Sequence, residues 1–254
     1  MPLATAPYII ATHAFFFRNG DTINSVANTV SRERTANVAK LVTAAPHGFV
    51  TGSLVTITGI GAPNYNAAGV TITVVDATSF TYPNTGTPEA TAADTDGVVT
   101  QTGTAGRMSK PGANDANWVS LGVIEDSNDT LEPGEAKEVW RPSPGKLILF
   151  DQIRVKPKVT FKFTCGELSP FHVEVMYRTL KLDSTSTQWN PMEGVAKQGW
   201  LKLQRYDHND QLRMVLDHWV ELSVTGDVNM GGNDPVKPQF EAVGLYSPYN
   251  TGTL

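Results

Sequence analysis

Beyond its carboxylates, the chain offers five histidines and a single cysteine for nucleophilic or metal-centred chemistry. The histidines are scattered, and no pair stands at the HxxxH or His/Cys spacing that sets zinc ligands on one face. The tightest gathering is YDHND at 206–210, where Asp207, His208 and Asp210 adjoin. A polar turn between two strands has the same composition, and the stretch reads as that turn. DTDG (94–97) and EDSNDTLE (125–132) cluster oxygens as a calcium loop does, without the twelve-residue loop and its terminal bidentate Glu. GIGAPN (59–64) lacks the third glycine of a dinucleotide fingerprint and opens no helix, and neither GxSxG nor GxxxxGK[ST] occurs. Paired glycosidase carboxylates carry no local signature, so an enzyme of that kind stays among the alternatives. Cys165 rules out an intrachain disulfide and reads as a buried thiol. The residues point to no catalytic group, no metal and no cofactor.

The elements that would position any site are strands. Residues 41–75 contain no Asp, Glu, Lys or Arg in a chain that is 18% charged. Within them Val55 and Ile57 alternate with Thr56 and Thr58, and Val70, Ile72 and Val74 alternate with Thr71 and Thr73, the two-residue period of a half-buried strand. Phe80 and Tyr82 continue it beyond a turn, and the spacing predicts strands over 38–44, 53–60, 69–75, 79–83 and 97–102. These define a small β-module over 35–103, closed by the linker-like TQTGTAGRMSKPGAND. Residues 1–34 read as an arm or first element with one strand-like run, Ala14 to Arg18. Residues 104–254 form a second β-rich unit. The N-terminus lacks the basic start and cleavage pattern of a signal peptide, and no apolar run approaches the roughly 20 residues that cross a bilayer.

The second unit carries longer amphipathic strands. In IRVKPKVTFKFTC the odd positions are apolar, while Arg154, Lys156, Lys158 and Lys162 face the other way. In LRMVLDHWVELSVTGDVNM the even positions are largely apolar and the odd ones include Glu221, Ser223, Thr225, Asp227 and Asn229. Between them, Ser169 is a suitable N-cap and Pro170 a suitable first residue for one short helix. A net charge of −5 argues against nonspecific grip on nucleic acid. An acidic stretch that includes Glu132, Glu135 and Glu138 precedes the basic strand, and the two patches are candidates to attract each other between copies of the chain.

The order of the basic strand pair, GELSP opening a helix in SPFHVEVMYRT, then WVELSVTGDVNM and PQFEAVGLYS, resembles the major tail tube protein of long-tailed bacteriophages over roughly 118–254. APHGFVTGSLVTITGIG, YNAAGVTITVVD and SFTYP are similar to small Ig-like modules of phage virion proteins. The resemblance implies an all-β fold: a β-sandwich of tail-tube type with one flanking short α-helix, plus a small Ig-like β-domain, here an insertion. It implies hexameric rings stacked into a tube through which DNA passes. It also implies tape-measure, tail-terminator and tail-tip proteins as partners, no membrane insertion, and a place in the virion tail after assembly in the host cytoplasm. In such a tube Glu221, Ser223, Thr225, Asp227 and Asn229 are the candidate lumen face, its carboxylates keeping DNA mobile. The alternatives are a decoration or neck protein, or a carbohydrate-binding module stacking sugars on Trp189, Trp200 and Tyr206.

Overall fold

The computed structural model describes residues 9–132, 135–144, 146–155, 158–179, 197–225 and 236–253. The fold is all-β with one short helix among the described residues. It divides into two compact units, one formed from Met1–Phe15, Ser120–Tyr246 and Thr251–Leu254, the other from Phe16–Val119 and Ser247–Asn250. The chain thus starts in one unit with β1 (Ile9–Arg18), passes into the other, and returns at residue 120.

The inserted unit holds β2 (Val26–Thr35), β3 (Val38–Thr43), β4 (Leu54–Thr58), β5 (Ala67–Thr71), β6 (Thr73–Asp76), β7 (Ser79–Pro83), β8 (Glu89–Ala93) and β9 (Val98–Gln101). They make one curled sheet in the order β5-β4-β9-β2-β3-β7-β6, with β8 also on β2. Leu41, Phe49, Val55, Ile57, Tyr65, Ile72, Phe80, Tyr82 and Val99 form its core. The run expected as one strand over 69–75 is two. Ile72 exchanges backbone hydrogen bonds with Gly52 and Ser53, and the chain turns there from pairing with β4 to pairing with β7.

The boundaries differ from 35–103 for two physical reasons. First, TINSVANTVSRERT has no apolar period, yet it supplies β2, the strand that pairs with β3, β8 and β9. Its inward positions are Ala27, Thr29 and Arg34. Arg34, 1% exposed, is tolerated because its guanidinium donates to Thr87 O, Asn84 Oδ1 and Glu89 and lies 4.6 Å from the centre of the Tyr65 ring. Second, the linker-like residues after 103 are fastened. Asp115 accepts from Asn24 N–H (2.7 Å) and Ser25 Oγ (2.8 Å), Ser25 Oγ accepts from Gly112 N–H (2.8 Å), and Trp118 packs edge-on against Phe17.

The other unit continues with β10 (Val119–Glu132), β11 (Glu135–Ser143), β12 (Lys146–Val155), β13 (Lys158–Cys165), α1 (Pro170–Tyr177), β14 (Lys197–Asp207), β15 (Leu212–Val224), β16 (Gln239–Gly244) and β17 (Thr251–Thr253). The order β14-β1-β10-β13-β16-β15 closes through pairing of β15 with β14, giving a six-strand barrel. The registers set Phe161, Phe163, Leu201, Leu203, Val220, Leu222, Phe240 and Ala242 on one shared face, all buried. Ser169 caps α1 as expected, and the helix packs against β15.

Because β2 and the 104–119 segment both belong to the inserted unit, the place of a cut decides its outcome. Replacing residues 20–117 by a Gly/Ser linker is expected to leave a barrel that unfolds cooperatively in denaturant. Replacing 36–102 instead leaves β2 with none of its three sheet partners β3, β8 and β9, and that protein is expected to aggregate on size-exclusion chromatography.

Candidate functional site

The acidic and basic stretches singled out in the sequence are the two sides of one β-ribbon. β10 pairs with β13 so that Leu131 faces Val159 and Glu132 faces Lys158. Glu135 of β11 faces Val155 of β12, the same register offset, and pairing runs to Ser143 and Lys146 with one bulge after Val139. The opposite charges of Glu132 and Lys158 across the strand pair favour this register. β11 and β12 form a sheet of two strands only. At about 3.3 Å per residue the nine residues of β11 extend roughly 30 Å. A ribbon of two strands is marginal in water on its own. This one also exposes apolar surface: Trp140, 50% exposed, stands opposite Leu149, 45% exposed, with Val139 beside them.

Of the candidate inter-subunit charges, one opposite pair is adjacent within the chain. Glu132 and Lys158 are cross-strand neighbours, and Lys162 is exposed between its register partners Asn128 and Glu241. Other members of the acidic stretch also find partners: Lys237 Nζ lies 2.8 Å from Glu125, and Arg205 pairs with Asp129. Glu138 accepts from the Trp140 indole N–H at 3.0 Å. Glu135 and Arg154 are placed by register, facing Val155 and Ala136. Lys156 lies outside the described residues.

Glu221 and Ser223 share the face of β15 opposite to the barrel core, half-buried. Glu221 accepts from Gln198 Nε2 (3.2 Å), Ser223 Oγ donates to Glu241 O (3.4 Å), and Thr225 N–H donates to Gln239 O (2.9 Å) where the strand ends. Asp227 and Asn229 fall outside the described residues. The alternation that marked this face passes through Trp219, which stands opposite Trp200 with ring centres 5.6 Å apart, both buried. The face thus has an aromatic centre that charge patterning alone did not show. Trp200, with no exposure, cannot offer a sugar-stacking surface; Tyr206 is half-buried with His13 5.2 Å away, and Trp189 lies outside the described residues.

Asp207, Cys165 and His172 serve the fold. Asp207 closes the β14–β15 turn, accepting from the N–H groups of Asn209 (2.8 Å) and Gln211 (3.1 Å) and from Arg213 Nε (2.7 Å). Burial works to raise its pKa, but these donors outweigh it and hold the carboxyl below its ordinary range. Burial pushes the Cys165 thiol up to about 12, which removes it as a nucleophile at neutral pH. Among the described residues no three His, Cys, Asp or Glu side chains gather as a metal site requires, and no helix is long and apolar enough to cross a membrane.

His172 completes the helix cap. Its Nδ1 accepts from Ser169 N–H (3.0 Å) while Ser169 Oγ accepts from His172 N–H (3.4 Å), a reciprocal pair in which His takes the place usual for Glu or Gln. The ring is buried 5.2 Å from Phe240, and burial lowers its pKa to about 4. Comparison of the chain with protein-family models, with curated proteins and with solved structures finds no match.

The cap gives a pH dependence with a defined sign. Above pH 6.5 both the folded and the unfolded His172 are neutral. Between 6.5 and about 4 the unfolded chain takes up the proton and the folded one does not, so stability falls as pH falls through that window. His172→Gln keeps an acceptor for the cap and removes the titration. The stability difference between pH 7 and pH 4 is expected to shrink by on the order of 2–3 kcal/mol in the variant, as read from urea unfolding at both pH values; an unchanged difference would contradict this role.

Proposed function

We propose that the chain is a structural subunit that assembles with copies of itself, and that the assembly is the stacked-ring tail tube of a long-tailed bacteriophage, with no enzymatic step of its own. The observation that carries self-assembly is the β11–β12 ribbon, a two-stranded sheet that exposes a cross-strand Trp140–Leu149 pair. Among the described residues no strand lies beside its outer edges, and open edges recruit further strands. Burying large apolar side chains is worth about 1.5–3 kcal/mol each, and a ring repeats that gain at every interface. The tube itself rests on the resemblance of 118–254 in element order.

The test is a double substitution at the ribbon, Trp140→Ser with Leu149→Ser. Both side chains are exposed in the single chain, so its unfolding free energy is expected to stay within about 1 kcal/mol. The unaltered chain is expected to form rings or hollow rods in negative-stain images and to sediment as large particles, while the variant remains small. A chain that stays monomeric at every concentration, or a variant that assembles equally well, would overturn the proposal.

A further inference from the structure

The charge-free run 41–75 contains one group that changes charge near neutral pH, His47. It sits between β3 and β4, 3% exposed, with its ring stacked on Phe49 (centres 5.0 Å apart) and edge-on to Phe80 (5.6 Å). Phe49 and Phe80 both belong to the core of the inserted unit. His47 Nδ1 accepts from Phe49 N–H at 3.0 Å, so the neutral ring carries its proton on Nε2, an atom with no hydrogen-bond partner among the described residues. Gly48, between the two, has φ +69°, and a Cβ there would stand 2.7 Å from Ala113 N. That left-handed residue folds the chain back so that ring and amide meet.

The loop is held against the turn that joins β6 to β7. His47 N–H donates to Ala77 O (3.1 Å), and Asp76 is the charged group that acts on the ring. Ser79 Oγ (2.6 Å) and Thr78 N–H (2.8 Å) donate to the Asp76 carboxyl, which holds its pKa down at about 2 and keeps it ionised between pH 5 and 7.5. On the other side Gly112 and Ala113 approach the loop and bring no charge. Burial lowers the pKa of His47 below 6.5, against the Ser79 and Asp76 carbonyls and the Asp76 carboxylate, which favour the charged ring.

Protonation breaks this arrangement at a defined atom. Nδ1 turns from acceptor into donor, its new N–H points at the Phe49 N–H, and a buried donor loses its partner. A charge also enters an aromatic stack from which water is excluded. Once the loop detaches, the solvated ring takes the proton at its ordinary pKa of 6.5, so acid favours the detached form. We propose that His47 is an acid-released latch, whose protonation frees residues 44–50 from the 76–79 turn and uncovers the Phe49–Phe80 side of the core. The latch holds fully above pH 6.5 and weakens as pH falls below it, the sign set by a closed form that binds the proton less well than the open one. It lies in the inserted unit and is independent of assembly through the ribbon.

Hydrogen exchange read by mass spectrometry on the full chain at pH 7.5 and pH 5.0, corrected for the intrinsic pH dependence of amide exchange, tests it. Protection of 44–53 and 76–80 is expected to fall several-fold at pH 5.0, with an upper limit of about thirtyfold set by a pKa of 6.5 in the open loop, while β2 and β9 keep theirs. His47→Gln retains an acceptor for Phe49 N–H and does not titrate. In that variant the response of the loop is expected to vanish while the pH response of the barrel, set by His172, remains. Exchange of the imidazole Cε1 hydrogen of His47 in the unaltered chain reads its pKa directly and covers the case in which His47→Gln fails to fold; a value below 6.5 is expected. The latch is refuted by unchanged protection at 44–53, by an equal loss across the whole inserted unit, by a response that a folded His47→Gln keeps, or by a ring that titrates at or above 6.5.

Discussion

Closure of the barrel is the constraint from which the rest of the structure follows. A strand with an open edge leaves a row of backbone N–H and C=O groups unpaired, and pairing β15 with β14 on one side and β16 on the other removes that liability for six strands at once. β15 needs its thirteen residues to do this, since it also carries β17 alongside β16 on the same edge. The first barrel strand, β1, precedes the inserted unit by sequence and its neighbour β10 follows it, so about a hundred residues fold between two strands that pair. An insertion of that length is compatible with pairing because it forms its own core, with Arg34 neutralised inside it.

The ribbon is the exception to closure. It has the same register offset as β10–β13 and, among the described residues, no strand on either edge, with Trp140 and Leu149 exposed. Exposed edges and exposed aromatics are ordinarily avoided in soluble domains because they recruit other chains. Here they lie together on one element. The proposed self-assembly is the reading in which this surface has a use, and the cross-strand pair Glu132 and Lys158 favours the register that leads into it.

The sequence was legible where side-chain periodicity carried the signal. The strand alternation at Val55–Ile57, Phe80–Tyr82 and Phe161–Cys165 corresponds to buried faces, and Ser169 with Pro170 marks the helix start. It was illegible where a buried position is polar. β2 has an arginine and a threonine turned inward, so no apolar period announces it, and the anchoring of Asp115 to Ser25 depends on residues ninety positions apart. Of the candidate site residues, the alternation placed Glu221 and Ser223 on a common face but hid Trp219 between two acidic residues. The pairing of the acidic with the basic strand had a signal in the sequence, the Pro144–Gly145 turn dipeptide between Ser143 and Lys146.

The most direct measurement of self-assembly is hydrogen exchange at β11 and β12 as the concentration of the full chain is raised. If the ribbon is an assembly element, its amides exchange within seconds in dilute solution and become protected in step with the appearance of large particles, while protection in the barrel core changes little. Amides of β11 and β12 that stay equally exposed in particles and in single chains would contradict the account.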